Sequence, residues 1–282
     1  MSAPLLLAHR GDMESGPENT MTALRAAVQK GADGVEIDIR RTKDGQAVVF
    51  HDDRLGRVAP QAAALFQDDC IEALTLEELS HVHLPFAGHL LKAFPKEGWP
   101  DERMCFQPEN LTGAGDARTE HILPLRDCFD WLSVQAPSFF AEVEVKSKGV
   151  IGEAMRLSEL CGVQKQVIFF SGEQEINREI QCFCKENGLP DGVRIGANIR
   201  FVREDTLREI QDYNLYEVGL NADAFEEEDV RLFASRGIRV FSNLGDTPQW
   251  WAKMRTMDVA AFKCNSTDGY RSWERNRREQ KY

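Results

Sequence analysis

Two histidines and two alternating carboxylates lie close together in the first 51 residues of the sequence. His9 follows an apolar run, and His51 follows another. Between them, Glu36 and Asp38 alternate with apolar residues. Carboxylate oxygens are good ligands for hard divalent cations, and a pair of imidazoles can donate and accept protons. These residue types together fit the metal-assisted cleavage of a phosphate ester.

The segment around the two carboxylates is predicted to form a β-hairpin. In the stretch V-E-I-D-I the acidic residues alternate with apolar ones, so Glu36 and Asp38 share one strand face. Asp44-Gly45 is typical of a two-residue turn, because both turn positions need positive φ. A turn at this point would place Asp38 directly across from His51, about 5 Å apart at Cβ.

Each of these signals also has a plainer interpretation. An alternating acidic pair is more often a solvated strand face, and a single histidine is more often a structural residue. Here the opposite strand face is apolar and a histidine is expected across the hairpin, which favours a site. His9 ends an apolar run and should therefore lie at the C-terminal end of a strand. In barrels of alternating strands and helices, that end carries the chemistry.

Five motifs in the first 57 residues resemble those of the glycerophosphodiester phosphodiesterase family. In order they are H-R-G, P-E-N-T, G-A-D-x-V-E-x-D, T-K-D-G and V-V-F-H-D. The likeness is strong over residues 4–57, recognisable over 139–171 and only architectural afterwards. It implies an α/β fold, a TIM-type (β/α)₈ barrel with one divalent metal ion. The implied reaction is hydrolysis of a phosphodiester to an alcohol and sn-glycerol 3-phosphate.

The resemblance also implies roles for seven residues, matched motif by motif. His9 and His51 are the implied acid/base pair. Arg10 and Lys146 are the implied phosphate contacts. The implied metal ligands are Glu36, Asp38 and Glu144. Which histidine is the acid stays open. The ligand set contains only hard oxygen donors and no sulfur or clustered imidazole, so the expected ion is Mg²⁺ or Ca²⁺.

Glu142 is a rival to Glu144 as the third metal ligand. Alternation along the strand places both carboxylates on the same face as Lys146. We favour Glu144, because the family motif fixes it two residues before the lysine and nearer the C-terminal end of the strand. Glu142 would lie deeper in the barrel, where an unpaired carboxylate is costly. Either Glu142 pairs with a buried cation, or the predicted strand register is off by two.

Three departures from the family pattern lie on the side expected to contact the alcohol. S-S-F is replaced by Phe170-Ser171-Gly172, W-T-V-N by Phe241-Ser242-Asn243-Leu244, and T-D by Cys264-Asn265. A glycerophosphocholine-like substrate is expected, with a sugar phosphodiester or a lysophospholipid as alternatives. A noncatalytic phosphodiester-binding barrel is a further alternative. Such a protein would be expected to lose a ligand or a histidine, and all seven residues are present here.

The composition fits one barrel domain and a small-molecule substrate. A chain of 282 residues with 42% apolar content is predicted to form a single domain over 1–270. An insertion or lid is expected at about 54–122, and a polar tail, solvated or frayed, at 271–282. The net charge of −12 argues against nucleic acid or an anionic membrane surface as partner. No apolar run is long enough for membrane insertion. The oligomeric state stays open.

The seven cysteines form an odd set without the spacing of a disulfide framework. This favours a reducing compartment and a cytoplasmic location, and the five-residue apolar start is expected to be a barrel strand instead of a signal peptide. Cys182 and Cys184 fall in a predicted helix, where residues two apart point to different sides. A structural role is therefore expected for them.

Eight barrel strands are predicted, with helices between most of them. The predicted strands are 4–8, 34–41, 139–145, 166–171, 193–198, 215–220, 238–243 and 258–264. Within the insertion, His81, His83 and His89 could suggest a second metal site. No cysteine lies near them, so a polar lid over the site is the favoured interpretation.

Overall fold

The computed structural model describes residues 3–85 and 120–279. Over these residues, eight parallel strands close into a barrel in the order β1-β12-β11-β10-β9-β8-β7-β2, and β2 pairs back to β1. The strands are β1 Leu5–His9, β2 Gly34–Arg41, β3 Ala47–Val49, β4 His83–Leu84, β5 Glu120–His121, β6 Leu123–Pro124, β7 Phe140–Val145, β8 Val167–Phe170, β9 Arg194–Arg200, β10 Glu217–Asn221, β11 Arg239–Asn243 and β12 Ala261–Cys264. The predicted TIM-type barrel is confirmed, and each predicted barrel strand is present with its ends within three residues of the prediction.

Helices follow most barrel strands and cover the outside of the barrel. They are α1 Met21–Gln29, α4 Leu125–Ser133, α5 Ile151–Leu160, α6 Gln174–Asn187, α7 Glu204–Ile210, α8 Glu227–Ala234, α9 Pro248–Met254 and α10 Thr267–Glu279, while α2 Pro60–Ala63 and α3 Leu76–Ser80 belong to the insertion. Helix α1 begins after Thr20, whose side chain accepts a hydrogen bond from Ala23 N. The main hydrophobic core lies between these helices and the outer faces of the strands.

The barrel interior changes character along its axis. At the N-terminal end it is apolar, with a small cluster formed by Leu7, Phe140, Ile168, Phe241 and Ala261. Towards the C-terminal end, strands β2 and β7 instead bring acidic residues inward. Their parallel register sets Glu36 beside Glu142 and Asp38 beside Glu144. The pairing of these two strands is therefore enough to bring the carboxylates together.

The turn after β2 is not the predicted two-residue turn. Thr42 N donates to Gln46 O at 2.9 Å, and Gly45 N donates back to Thr42 O. The loop therefore contains three residues and ends on Gly45, which has a φ of 80°. Glycine adopts this left-handed conformation without strain, as three-residue hairpin loops require.

This longer loop shifts the predicted hairpin register by one residue. Ile39 pairs with Val49, and Phe50 N donates to the Asp38 carbonyl at 2.9 Å. Asp38 therefore lies across from Phe50, and the predicted direct pairing of Asp38 with His51 is wrong. His51 instead follows the end of β3, where the chain bends.

The described part of the insertion has its own hydrophobic core, packed on β3. Val48 and Phe50 on the hairpin join buried residues from 55–84 and Ile122. His83 and His121 face each other on the short β4–β5 pair, with ring centroids 4.6 Å apart. His89 lies outside the described residues. Within residues 3–85 and 120–279, one cluster of acidic, histidine or cysteine side chains is compact enough to hold a metal ion. The insertion histidines do not belong to it.

The C-terminal segment differs from the predicted frayed tail. Residues from 271 onwards continue helix α10 as far as Glu279. Arg271 donates to the Gly31 carbonyl and pairs with Asp33 at 2.8 Å, which ties the helix to the loop before β2. The aromatic rings of Trp251, Tyr270 and Trp273 pack on one another. Among the described helices, none combines the length and apolar character needed to cross a membrane.

Candidate active site

Three carboxylates converge at the C-terminal end of the barrel. Glu36, Asp38 and Glu144 each offer an oxygen atom, and these atoms all lie within 4.8 Å of one another. Glu36 and Asp38 are buried, while Glu144 is partly exposed. Burial and the neighbouring Asp38 charge raise the pKa of Glu36 well above its usual value. Three hard oxygen donors gathered against their mutual repulsion fit a divalent cation such as Mg²⁺ or Ca²⁺.

Asp38 is held by the loop that contains the P-E-N-T motif. Asn19 adopts a left-handed conformation with φ of 59°, and its Nδ2 donates to Asp38 Oδ2 at 2.9 Å. Burial raises the pKa of Asp38, but the charges of Arg10 and Lys146 outweigh it and lower that pKa. Asp38 Oδ1 is buried and makes no hydrogen bond within the described residues. This oxygen is therefore available to a ligand.

The H-R-G motif turns the chain sharply at the end of β1. Arg10 and Gly11 both have positive φ, at 57° and 81°. A Cβ on Gly11 would lie 2.7 Å from the Ala23 carbonyl carbon, so no larger residue fits. The turn directs the Arg10 guanidinium between two acids. Its Nε lies 3.3 Å from Asp38 Oδ2, and one terminal nitrogen lies 2.9 Å from Glu18 Oε1.

His9 is oriented by an asparagine from the loop after the last barrel strand. Its Nδ1 lies 2.8 Å from Asn265 Oδ1. Asp246 in turn accepts two hydrogen bonds from Asn265, one from the backbone N–H and one from Nδ2, both at 2.8 Å. Burial raises the pKa of Asp246, while these two donors and the Cys264 thiol favour its ionised form.

This arrangement determines the His9 tautomer. A carboxylate can only accept, so Asn265 turns its NH₂ group to Asp246 and its oxygen to His9. His9 must then donate from Nδ1, which leaves Nε2 without a proton, 3.8 Å from Glu36 Oε2. Burial, followed by the Arg10 charge, lowers the pKa of His9 to about 3. The imidazole is therefore neutral near pH 7.

His51 has a carboxylate partner where His9 has an amide. Its Nδ1 lies 2.6 Å from Asp52 Oδ1. Arg57 donates to the other oxygen of Asp52 and also to Glu18, at 2.7 Å. Arg40 donates from Nε to the His51 carbonyl at 2.8 Å. These contacts fix both the ring and the backbone of His51, which compensates for the register shift in the hairpin.

Lys146 and Gly172 both contact Glu144. The Lys146 ammonium lies 2.8 Å from Glu144 Oε1 and 3.5 Å from Asp38 Oδ1. Gly172 N donates to the same Glu144 oxygen at 3.2 Å. A Cβ on Gly172 would approach that oxygen to 2.9 Å. Gly172, in the sequence Phe170-Ser171-Gly172 that departs from the family pattern, therefore leaves room for the Glu144 carboxylate.

A lysine that the sequence interpretation missed lies at the centre of the barrel. Lys263 is almost fully buried, and its ammonium lies 2.9 Å from Glu142 Oε1. Of the two interpretations of Glu142, the structure therefore supports a buried cation partner. The charges of Glu142 and Glu36 raise the pKa of Lys263 against the effect of burial. The available signal was a lysine inside the otherwise apolar strand A-F-K-C.

Three asparagines surround the interior on the side away from the histidines. Asn221 and Asn243 end strands β10 and β11, and Asn198 lies two residues before the end of β9. Asn243 Nδ2 donates to Asn198 Oδ1 at 2.9 Å. Lys263 donates to Asn243 Oδ1 at 3.1 Å. Asn265, which belongs to the third departure from the family pattern, contacts His9. The seven residues assigned by resemblance all lie at the C-terminal end of the barrel, and their individual roles stay predictions.

The sequence of this chain is similar to those of known phosphodiesterases. A family model described as glycerophosphoryl diester phosphodiesterase matches residues 9–170. The chain belongs to this family. A glycerophosphodiester phosphodiesterase from Caldanaerobacter subterraneus subsp. tengcongensis is 41% identical over 75 residues, which cover 27% of this chain and 28% of that protein. Glycerophosphodiester phosphodiesterase 1 of Mus musculus is 37% identical over 106 residues, 38% of this chain and 29% of that protein. The match thus spans less than a third of these relatives' length.

Solved structures of the phosphodiesterase family share the whole fold. A phosphodiesterase from Oleispira antarctica, solved in complex with the product sn-glycerol-3-phosphate, superposes with a TM-score of 0.73 and 20% identity. The superposition covers 97% of each chain. The Thermotoga maritima glycerophosphodiester phosphodiesterase gives a TM-score of 0.66 and 21% identity, over 96% of this chain and 99% of that one. These likenesses extend over the barrel beyond residue 170, where the family model ends.

Proposed function

We propose that this protein hydrolyses glycerophosphodiesters to an alcohol and sn-glycerol 3-phosphate. The observation that carries the proposal is the set of three carboxylates within 4.8 Å of one another, with His9 beside it. Family membership and the names of the curated relatives support this activity. The phosphodiesterase from Oleispira antarctica was solved with sn-glycerol-3-phosphate, the product proposed for this protein. The seven residues assigned by resemblance are the proposed machinery.

Glu36, Asp38 and Glu144 are the proposed ligands of one divalent cation, Mg²⁺ or Ca²⁺. When bound, such an ion supplies positive charge to a phosphate oxygen, where negative charge grows during the reaction. Arg10 would present its planar fork to the phosphate and Lys146 a point charge. Both groups already lie within 3.5 Å of Asp38, so phosphate and carboxylates would share the same cations.

His9 is the proposed general base. Its Nε2 has no proton, because Asn265 accepts from Nδ1 and Asp246 fixes the orientation of the asparagine amide. In the proposed reaction, Nε2 takes the proton of the attacking hydroxyl, which is that of water or of the glycerol moiety. The new O–P bond then forms as the bond to the leaving alcohol breaks. If the attacking hydroxyl is that of glycerol, this step gives a cyclic phosphodiester, which a water molecule then opens to sn-glycerol 3-phosphate. General-base catalysis contributes about 10²–10⁴-fold, and because the low pKa of His9 makes it a weak base, its contribution is expected near the lower end of this range.

His51 is the proposed general acid. Asp52 lies against its Nδ1, and a carboxylate in this position stabilises an imidazolium. Such an imidazolium carries a second proton on Nε2, which it can give to the departing alcohol oxygen. The contrast between the amide partner of His9 and the carboxylate partner of His51 thus supports opposite roles for the two histidines.

The three asparagines are the proposed contacts for substrate hydroxyl groups. Side-chain amides both donate and accept, so they can bind hydroxyls in either sense. Asn198, Asn221 and Asn243 lie at or near the ends of neighbouring strands, and Asn243 contacts both Asn198 and Lys263. This supports a polyhydroxylated group at that position, either glycerol or the alcohol of a sugar phosphodiester.

The test is phosphomonoester release from a panel of diesters, with and without chelator. The panel contains glycerophosphocholine, glycerophosphoinositol, a sugar phosphodiester and a lysophospholipid. Release from a glycerophosphodiester that stops with chelator and returns with Mg²⁺ or Ca²⁺ is expected. Glu144→Gln should lower kcat by more than about 10²-fold, whereas Glu175→Gln on the exposed start of α6 should not. Release that ignores chelator would refute the metal assignment, and no release from any diester would favour a binding module.

A further inference from the structure

The end of the barrel opposite the candidate active site contains a cavity of about 430 Å³. It opens where the barrel strands begin, between the starts of β1, β7, β9 and β11. The buried Phe140 and Phe241 form its apolar floor, and the exposed Leu5 also lines it. The rings of Phe140 and Phe241 have centroids 6.3 Å apart. Small-molecule sites are typically apolar concavities of about 300–1,000 Å³ with a few polar groups, and this cavity has that size and floor.

The rim of the same cavity carries three cations. Arg194 and Arg239 both stack on the ring of Tyr216, with guanidinium carbons 4.7 and 4.3 Å from its centroid. Lys165 also lines the cavity. Within residues 3–85 and 120–279, no carboxylate oxygen lies within 4.0 Å of a side-chain nitrogen of these three residues.

The hydrogen bonds of the stacked arginines leave donors unused. Arg194 donates to the Tyr216 hydroxyl at 3.1 Å and to the Lys165 carbonyl at 2.9 Å. Its Nε is buried without a hydrogen-bond partner within the described residues. Arg239 stacks on the same ring, is exposed and lines the same cavity. Two like charges that share one aromatic ring repel each other, and an anion that contacts both would offset that repulsion.

We infer that this N-terminal cavity binds a small organic anion. The acidic head, a carboxylate or a phosphate, pairs with the guanidinium groups of Arg194 and Arg239, which match such planar or tetrahedral oxyanions. The apolar body lies on Phe140 and Phe241. The inference does not depend on the proposed phosphodiesterase activity, because none of these residues contacts the carboxylates or histidines of the other end.

The test is a fluorescence titration with 2-naphthoate, compared with the neutral 2-naphthalenemethanol. Chelator is present, so that no divalent cation can hold the probe at the catalytic end. The naphthoate should bind saturably and at least about 10-fold more tightly than the alcohol, because a charge-assisted hydrogen bond distinguishes them. Arg239→Gln should weaken naphthoate binding at least about 10-fold. The matched control is Arg208→Gln, which removes the same charge from an exposed position on α7.

Three outcomes would overturn the inference. One is the absence of saturable naphthoate binding, and another is equal affinity for the naphthoate and the alcohol. The third is an Arg239→Gln variant that binds naphthoate as tightly as Arg208→Gln. Because Arg239 is exposed, its replacement should leave the fold intact, and a melting curve by circular dichroism checks this.

Discussion

Replacing Asp246 by asparagine tests whether Asp246 sets the tautomer of His9 through the Asn265 side chain that lies between them. In the wild-type chain, Asp246 Oδ2 accepts from Asn265 Nδ2 at 2.8 Å, which turns the amide oxygen to His9. In Asp246→Asn, one oxygen still accepts the Asn265 backbone N–H. The other position becomes an NH₂ group that faces the Asn265 NH₂. The Asn265 amide is then expected to flip and to donate to His9 Nδ1.

The size of the effect follows from the hydrogen bonds at stake. The unflipped amide would leave two buried donors facing each other, and each unsatisfied buried group costs about 1–3 kcal/mol. A preference of about 2–3 kcal/mol for the flipped amide leaves roughly 0.6–3% of the molecules with a basic Nε2 on His9. The value of kcat should therefore fall by about 30- to 160-fold, with little change in KM, because neither Asp246 nor Asn265 is a proposed phosphate contact.

The assay is steady-state hydrolysis of the best glycerophosphodiester, with a swapped double variant as the control. In Asp246→Asn/Asn265→Asp, the carboxylate introduced at position 265 accepts from the amide introduced at position 246 and from His9 Nδ1, so the wild-type tautomer returns. The double variant should recover at least about 10-fold of the lost kcat, which is about 1.4 kcal/mol of activation free energy. If Asp246→Asn keeps kcat within about 3-fold of wild type while its melting temperature is unchanged, the reasoning about the tautomer is refuted.

Other perturbations test the interior of the barrel and the acidic cluster. Lys263→Met should lower the free energy of unfolding by about 3–5 kcal/mol, because it leaves a buried carboxylate without its cation; chemical denaturation measures this, and addition of Glu142→Gln should restore part of the loss. Gly172→Ala should raise the Mg²⁺ concentration for half-maximal activity about 10-fold, since its Cβ would lie 2.9 Å from Glu144 Oε1; an unchanged Mg²⁺ dependence contradicts this. Burial raises the pKa of Glu18, but two neighbouring arginines outweigh it and lower that pKa from 4.5 to about 2. The stabilisation is thus present above pH 4.5 and lost between about pH 4.5 and 2, by up to about 3 kcal/mol, and Glu18→Gln should flatten this part of the stability curve measured by denaturation.

The parts of the fold that follow local patterns could be predicted from the sequence. Alternation in β2 placed Glu36 and Asp38 on one face, and the apolar run before His9 located the first strand. The motif spacing also located Glu144. These predictions succeed because strand alternation and the common C-terminal edge of a parallel barrel constrain the positions without any long-range contact.

The hairpin shows where a local pattern is not enough. The Asp-Gly dipeptide is compatible with both two- and three-residue loops, and tertiary contacts selected the longer one. Asp44 Oδ1 accepts from the Thr42 hydroxyl and from Leu76 N, which belongs to the insertion. A residue thirty-two positions away thus helps to set the register. His51 still reaches the site region because Asp52 and Arg40 hold it after the strand has ended.

The charged interior and the partners of His9 could not be predicted, because their contacts join distant parts of the chain. Lys263 and Glu142 are far apart in the sequence and meet only when β12 and β7 both face the barrel axis. Asp246 and Asn265 likewise meet only through the packing of neighbouring loops. The sequence contained a signal for Lys263 in the form of a charge within an apolar strand. It contained no signal for its partner.

The hydrogen bond between His9 and Asn265 spans 256 positions and connects the first barrel strand to the loop after the last one. A nascent or partly refolded chain therefore lacks an oriented His9 until the final strand docks. Such long-range docking is slow compared with local helix formation. Regain of turnover during refolding would then report completion of the circle of strands, later than any signal from helix content. A partly assembled barrel that already contains the acidic cluster would therefore still lack catalytic activity.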